Sequence, residues 1–232
     1  MARSYWFLLA MLVWISCETE PIAYTLQKPA ESDRRVLVEE FSGALCPNCP
    51  QGTQELDNLK AIYGDNLIVV AIHAGDFAFM FSDSRYDFTT PEGDELLRLL
   101  GNPIGYPSAV INRVPNNAGS FQVFSSRWGS AIQDALDEGS SINLSIDRHY
   151  DKDSRRLSVS ITALPLEDIE VPIRLAVLLK ESGIIDPQAD RAASNGVVQD
   201  YNHKNVLRTM LTDIEGDLLS ERASAFEPMV QS

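Results

Sequence analysis

Val36-Leu-Val-Glu-Glu-Phe-Ser-Gly-Ala-Leu-Cys-Pro-Asn-Cys-Pro-Gln-Gly52 decides the fold. The apolar run Val36, Leu37, Val38 and Phe41 predicts a buried strand that stops at Gly43. Cys46-Pro47-Asn48-Cys49 follows at once, and a helical pattern begins behind it. The unpaired N–H groups and positive dipole end of a helix stabilise a thiolate, so a strand delivering C-x-x-C onto a helix N-terminus suits thiol–disulfide chemistry. A C-x-x-C by itself is a weak signal. The flanking chain has to decide it.

Upstream, Arg3 is followed by an apolar run from Tyr5 to Ile15, then by Glu18, Thr19 and Glu20. That run is too short to span a bilayer and fits the apolar region of an export signal. Ser16-Cys17 resembles the lipobox of bacterial lipoproteins, although Trp14 stands where an aliphatic residue is usual. The resemblance implies a signal peptide over 1–17 and lipidation of Cys17, and it accounts for an odd count of three cysteines. The competing reading is a secreted protein with a spare thiol. Residues 18–33, with Pro21 and Pro29, read as a tether. Export sends the chain to an oxidising compartment, where a C-x-x-C is more plausibly a redox or structural disulfide than a reduced metal site.

The formal net charge of −14 disfavours a phosphate backbone as partner, so no nucleic acid is expected. No G-x-S-x-G, H-E-x-x-H, P-loop or G-x-G-x-x-G occurs, which leaves hydrolase, protease and nucleotide-enzyme readings unsupported. No cofactor is expected.

Downstream of the cysteines, Leu56, Leu59 and Ile62/Tyr63 predict a helix from about Pro50, stopped by Gly64. Leu67 to His73 is continuously apolar, as in a parallel strand buried on both faces. Residues 75–101 read as an insertion: an aromatic, irregular part, then a helix opened by Thr90-Pro91-Glu92 and ended by Gly101. Pro107 precedes a short strand, a second strand covers about 121–124, and a helix covers about 125–138.

This order, with Tyr106-Pro107 before the third strand, resembles the thioredoxin fold over residues 34–139. The resemblance implies a cis Pro107 set against the cysteine sulfurs. It also implies a buried carboxylate, Glu40, that assists proton transfer. Ser42 and Leu45 replace the tryptophans usual in thioredoxin, and no basic residue follows Cys49. Glu39-Glu40-Phe41-Ser42-Gly43, Cys46 to Pro50 and Gly105-Tyr106-Pro107 through Asn112-Arg113 resemble the twenty-eight-kilodalton outer-membrane protein family of Gram-negative bacteria, lipoproteins with a thioredoxin-like N-terminal domain.

Beyond residue 139, alternation in Ile142–Ile146, Leu157–Ala163 and Val171–Leu179 predicts strands, with a hairpin turn at 151–155. We read 140–232 as a β-rich, sandwich-like C-terminal domain without further strands after Thr212, either small or cut short. The stretch Asp200 to Arg208 resembles one found late in the same outer-membrane family.

Three readings stand for Cys46 and Cys49. In the first, Cys46 is an exposed nucleophile toward a client disulfide and Cys49 resolves the mixed disulfide. The second is a permanent structural disulfide, and the third a metal site with His73, for which one C-x-x-C supplies too few ligands. Glu40 is either a buried proton acceptor or a surface residue at a strand end. His73 reads best as a hydrogen-bonded structural histidine, and His149 and His203 as surface or structural. The expected partners are exported proteins with thiols or disulfides, and a membrane through the lipid anchor. The competing class is a non-catalytic outer-membrane binding protein or adhesin.

Overall fold

A computed structural model describes residues 34–116 and 118–232. The expected signal peptide, the lipidated Cys17 and the 18–33 tether lie outside the described residues.

The apolar run at the start becomes β1 (Val36–Ser42), and α1 (Cys49–Tyr63) begins on the second cysteine. β2 (Leu67–His73) lies parallel to β1, with Val36 opposite Leu67 and Ser42 opposite His73. α2 (Pro91–Leu100) starts as expected, with Thr90 Oγ1 accepting from Gly93 N at 3.0 Å. β3 (Ser108–Ile111) runs antiparallel to β1, and β4 (Gln122–Phe124) antiparallel to β3. A short 3-10 turn then leads into α3 (Trp128–Asp137).

Alternation along β1 sends its residues to two different cores. Val36 and Val38 pack with Leu56, Leu59 and Tyr63 of α1 and with Trp128, Ile132 and Leu136 of α3. Phe41 packs on the other face with Leu96, Leu97 and Leu100 of α2, together with Val70 and Ile72 of β2. β2 therefore meets apolar neighbours on both faces, as its unbroken apolar sequence predicts.

The region after residue 139 is rich in strands, but it does not form the separate sandwich that the sequence suggests. β5 (Ile142–Asp151) and β6 (Arg156–Pro165) make a long hairpin, turned at residues 152–155. The expected single strand Val171–Leu179 is two strands, β7 (Ile173–Leu175) and β8 (Leu178–Glu181), which join different sheets. Among the described residues β9 (Ile184–Ala189) and β10 (Val197–His203) pair only with each other. β11 (Val206–Met210) then enters the first sheet beside β2 and parallel to it, and β8 pairs on its far side. The first sheet has the order β4-β3-β1-β2-β11-β8.

Leu207 and Met210 of β11 lie in the same core cluster as Val70, Ile72 and α2, so the sheet centred on β1 is completed from the C-terminal region. The expectation of no strands after Thr212 is also corrected. β12 (Asp217–Ser220) pairs with β7, and β13 (Met229–Gln231) with β6. Both are too short to show a clear alternation.

Candidate functional site

β1 ends at Ser42, and the loop 43–48 carries Cys46 across to the first residue of α1. Cys46 N bonds to Gly43 O at 3.0 Å, which turns the loop back toward the helix. Cys46 and Cys49 form a disulfide, with Cα atoms 5.4 Å apart. Its second sulfur stands at the positive end of α1, where a thiolate formed on reduction is favoured.

Both cysteines are only 1% exposed, so Cys46 is not the open nucleophile expected from the sequence. The cover comes from residues far away in the chain. Leu45 N bonds to Phe77 O, Ala189 N to Ala44 O at 2.8 Å, and Arg191 N to Pro47 O at 2.9 Å. The Gln188 amide donates to Gly43 O at 3.1 Å and to Cys46 O at 3.0 Å. Nothing in the local pattern around Gln188 signals this role, because it arises from pairing across 142 residues.

Glu40 is buried, which removes the reading of it as a surface residue. It lies on the α1 side of the sheet, facing Gly52. A Cβ on Gly52 would come within 2.5 Å of Pro107 Cγ and 3.1 Å of Glu40 Oε1, so only glycine lets α1, Pro107 and Glu40 converge here. The Tyr106–Pro107 peptide is cis. Burial, with a smaller contribution from Asp57, pushes the Glu40 carboxyl up to about 8. Its Oε1 has no hydrogen-bond partner among the described residues. It borders a cavity of about 160 Å³ that also touches Thr53, Asp57, Lys60, Lys180 and Lys204. Lys180 and Lys204 come from the C-terminal region, and the sequence offered no sign that they approach Glu40.

A groove of about 1260 Å³ runs between α1 and the Tyr106–Pro107 segment, past Asn48, Gly52 and Arg191. Asn48 Oδ1 is buried beside it without a hydrogen-bond partner among the described residues.

His73 is buried as expected, but its Nδ1 has no hydrogen-bond partner among the described residues. It packs against Phe88 and His203, with ring centroids at 4.9 and 5.8 Å. Burial first, then His203, lowers its pKa to about 3, so the ring is neutral. His203 is also buried, and His149 is exposed. Among the described residues no group of three or more His, Cys, Asp and Glu side chains is placed to hold a metal ion.

Residues 102–231, more than half of the chain, match the family described as Outer membrane protein Omp28. The chain belongs to the Omp28 outer membrane protein family. Its place in the outer membrane of the cell envelope follows from that family. Among the described residues no helix of this Omp28 protein is long and apolar enough to cross a membrane. Its fold is similar to that of HBP35 of Porphyromonas gingivalis, with a TM-score of 0.66 at 16% identity. The match covers 88% of this chain and 64% of that one, so the chain spans less than two thirds of the length of HBP35. Protein AGR_C_4864 from Agrobacterium tumefaciens aligns at 14% identity with a TM-score of 0.49, covering 87% of this chain and 79% of that one. No curated protein matches the sequence.

Proposed function

We propose that this Omp28 protein carries a thioredoxin-like unit over residues 34–139 and performs thiol–disulfide exchange on exported proteins, held at the outer membrane by a lipid on Cys17. The carrying observation is the convergence of three features on one helix turn. The disulfide sits at the N-terminus of α1, Pro107 packs on Gly52 one turn later, and Glu40 lies behind Gly52. In this reading a thiolate attacks one sulfur of the pair, the S–S bond breaks, and the departing sulfur takes a proton. Glu40, held protonated near neutral pH behind Gly52, supplies that proton. The groove along Pro107 is where an extended client segment would lie.

The reduction potential of Cys46–Cys49 tests the reading. A value within the range of about −270 to −120 mV spanned by exchange catalysts supports it, and one below about −300 mV marks a permanent bond. For the anchor, mass spectrometry of the mature N-terminus is expected to find a lipidated Cys17, and an unmodified Cys17 contradicts it. One observation favours a second reading, a binding protein with a structural disulfide: both cysteines are 1% exposed.

A further inference from the structure

We propose that the β9–β10 arm, residues 184–203, is a movable lid over the Cys46–Cys49 disulfide, and that the sulfurs react only when the arm lifts. The regulation of the site rests on the exchange reading above, but the lid itself can be tested without it.

Among the described residues the arm is a two-stranded ribbon that pairs with no third strand. Its contacts with the redox loop are concentrated at one end. Ala189 N, Arg191 N and the Gln188 amide all donate to carbonyls of the loop 43–47: Ala44, Pro47, Gly43 and Cys46. Gln188 is buried although polar, and of the three carbonyls that receive its N–H groups two, Gly43 and Cys46, belong to the loop and one, Ala189, to the arm itself. When the arm lifts, amide and carbonyls exchange these partners for water, which makes opening reversible at modest cost.

The root of the arm is held more firmly. His203 is buried between Phe88, Tyr201 and His73, and the next residue, Lys204, meets Asp57 at 2.8 Å. Asp186 also accepts from the backbone of Arg85 and Tyr86, tying the arm to the insertion. The fixed root and the hydrogen-bonded tip define a hinge at the His203 end and a latch at Gln188.

A dithiol reduces the opened site in two exchanges. One reductant thiolate attacks Cys46 Sγ, the S–S bond breaks, and its electron pair stays on the Cys49 sulfur, which is protonated. The second reductant thiol, after giving up its proton, attacks the mixed disulfide and releases the Cys46 thiolate, which takes that proton. The protein gains two electrons and two protons, and the reductant leaves as a cyclic disulfide.

A lid changes rates and leaves the equilibrium alone, provided the latch acts on both redox forms. With dithiothreitol as the probe, Gln188→Ala is expected to speed reduction and reoxidation of Cys46–Cys49 together, by roughly tenfold for the loss of the latch bonds, with the potential unchanged. Unchanged rates in the variant overturn the lid. The exchange reading instead fails on the potential itself, whatever the rates. If Gln188→Ala does not fold, hydrogen exchange of the wild type decides. The Ala189 and Arg191 amides are expected to exchange through an opening that leaves the amides of β1 and β2 protected. Exchange of all of them together, only on global unfolding, overturns the proposal.

Discussion

Arg113 grips Glu39 with two donors, Nε to Oε2 at 2.9 Å and Nη2 to Oε1 at 2.7 Å, and the Glu39 side chain is wholly buried. Glu39 lies on the opposite face of β1 from Glu40, so two adjacent acids meet opposite fates. One is paired with a cation, and the other, behind α1, has no hydrogen-bond partner at Oε1 among the described residues. Arg113 also donates from Nη1 to Ile214 O, which fastens the C-terminal region to the first sheet.

Removing one partner leaves a buried charge uncompensated, at a cost of about 3–5 kcal/mol. Arg113→Ala is therefore expected to lower stability by that amount in urea titration. The paired replacement Glu39→Leu with Arg113→Met, which leaves no charge behind, is expected to lose much less. Equal losses in the two proteins would contradict the account.

The completion of the first sheet by β11 leads to a second prediction. A fragment of residues 34–139 has the strand order β4-β3-β1-β2 and leaves the outer edge of β2 unpaired. It also strips Leu207 and Met210 from the cluster around Val70 and Ile72. The fragment is expected to show no cooperative thermal transition, whereas the chain from residue 34 to 232 shows one. In the full chain Leu207→Ala is expected to cost about 2–5 kcal/mol, as for other leucines buried in a core. A fragment that melts cooperatively would contradict this and mark residues 34–139 as an independent domain.

The Glu39–Arg113 pair and the seat of β11 both join segments far apart in the chain, and neither is legible in the sequence. The elements from β1 to α3 were legible because each carries its own period and its own stop: Gly64 after α1, Thr90-Pro91 before α2, and the unbroken apolar run of β2. Glu40 and Pro107 were legible only through resemblance, since an acid in a strand and a proline before one are compatible with many settings. The C-terminal region was misread because its pairings are non-local. Val171–Leu179 alternates without a break, and its division into β7 and β8 is imposed by two different partners, β12 and β11. Gln188, Lys180 and Lys204 carry no local mark of the site they approach. Their roles depend on which edge of the sheet β11 occupies.

A third prediction concerns acid. His73 and His203 are both buried with lowered pKa, and burial is the largest cause in each. For His73 the value falls from 6.5 to about 3, so the folded state binds its proton less tightly than the unfolded chain. The stability it contributes is fully present above about pH 6.5 and is lost as pH falls toward 3. Since His203 sits at the root of the arm, acid is expected to loosen the arm early. The Ala189 and Arg191 amides, which bond to Ala44 O and Pro47 O, should lose hydrogen-exchange protection at pH 4 by more than unfolding by circular dichroism accounts for, and an equal loss at the amides of β1 and β2 would contradict this.

Glu40 provides the opposite linkage. Its pKa rises from 4.5 to about 8, so the folded state binds this proton more tightly than the unfolded chain does. That contribution is fully present below about pH 4.5 and is lost as pH rises through about 8. Across the window it amounts to something on the order of 5 kcal/mol. Glu40→Gln keeps the shape and cannot titrate. The variant and the wild type are therefore expected to have similar stability near pH 4.5, with the variant ahead by a growing margin up to about pH 8 and by a constant one above it. His73 and His203 are present in both proteins and cancel in the difference. Urea titrations of the two proteins at several pH values measure that margin directly. Two parallel stability curves would mean that Glu40 is ionised in the fold at neutral pH, which would remove it as a proton donor to the disulfide.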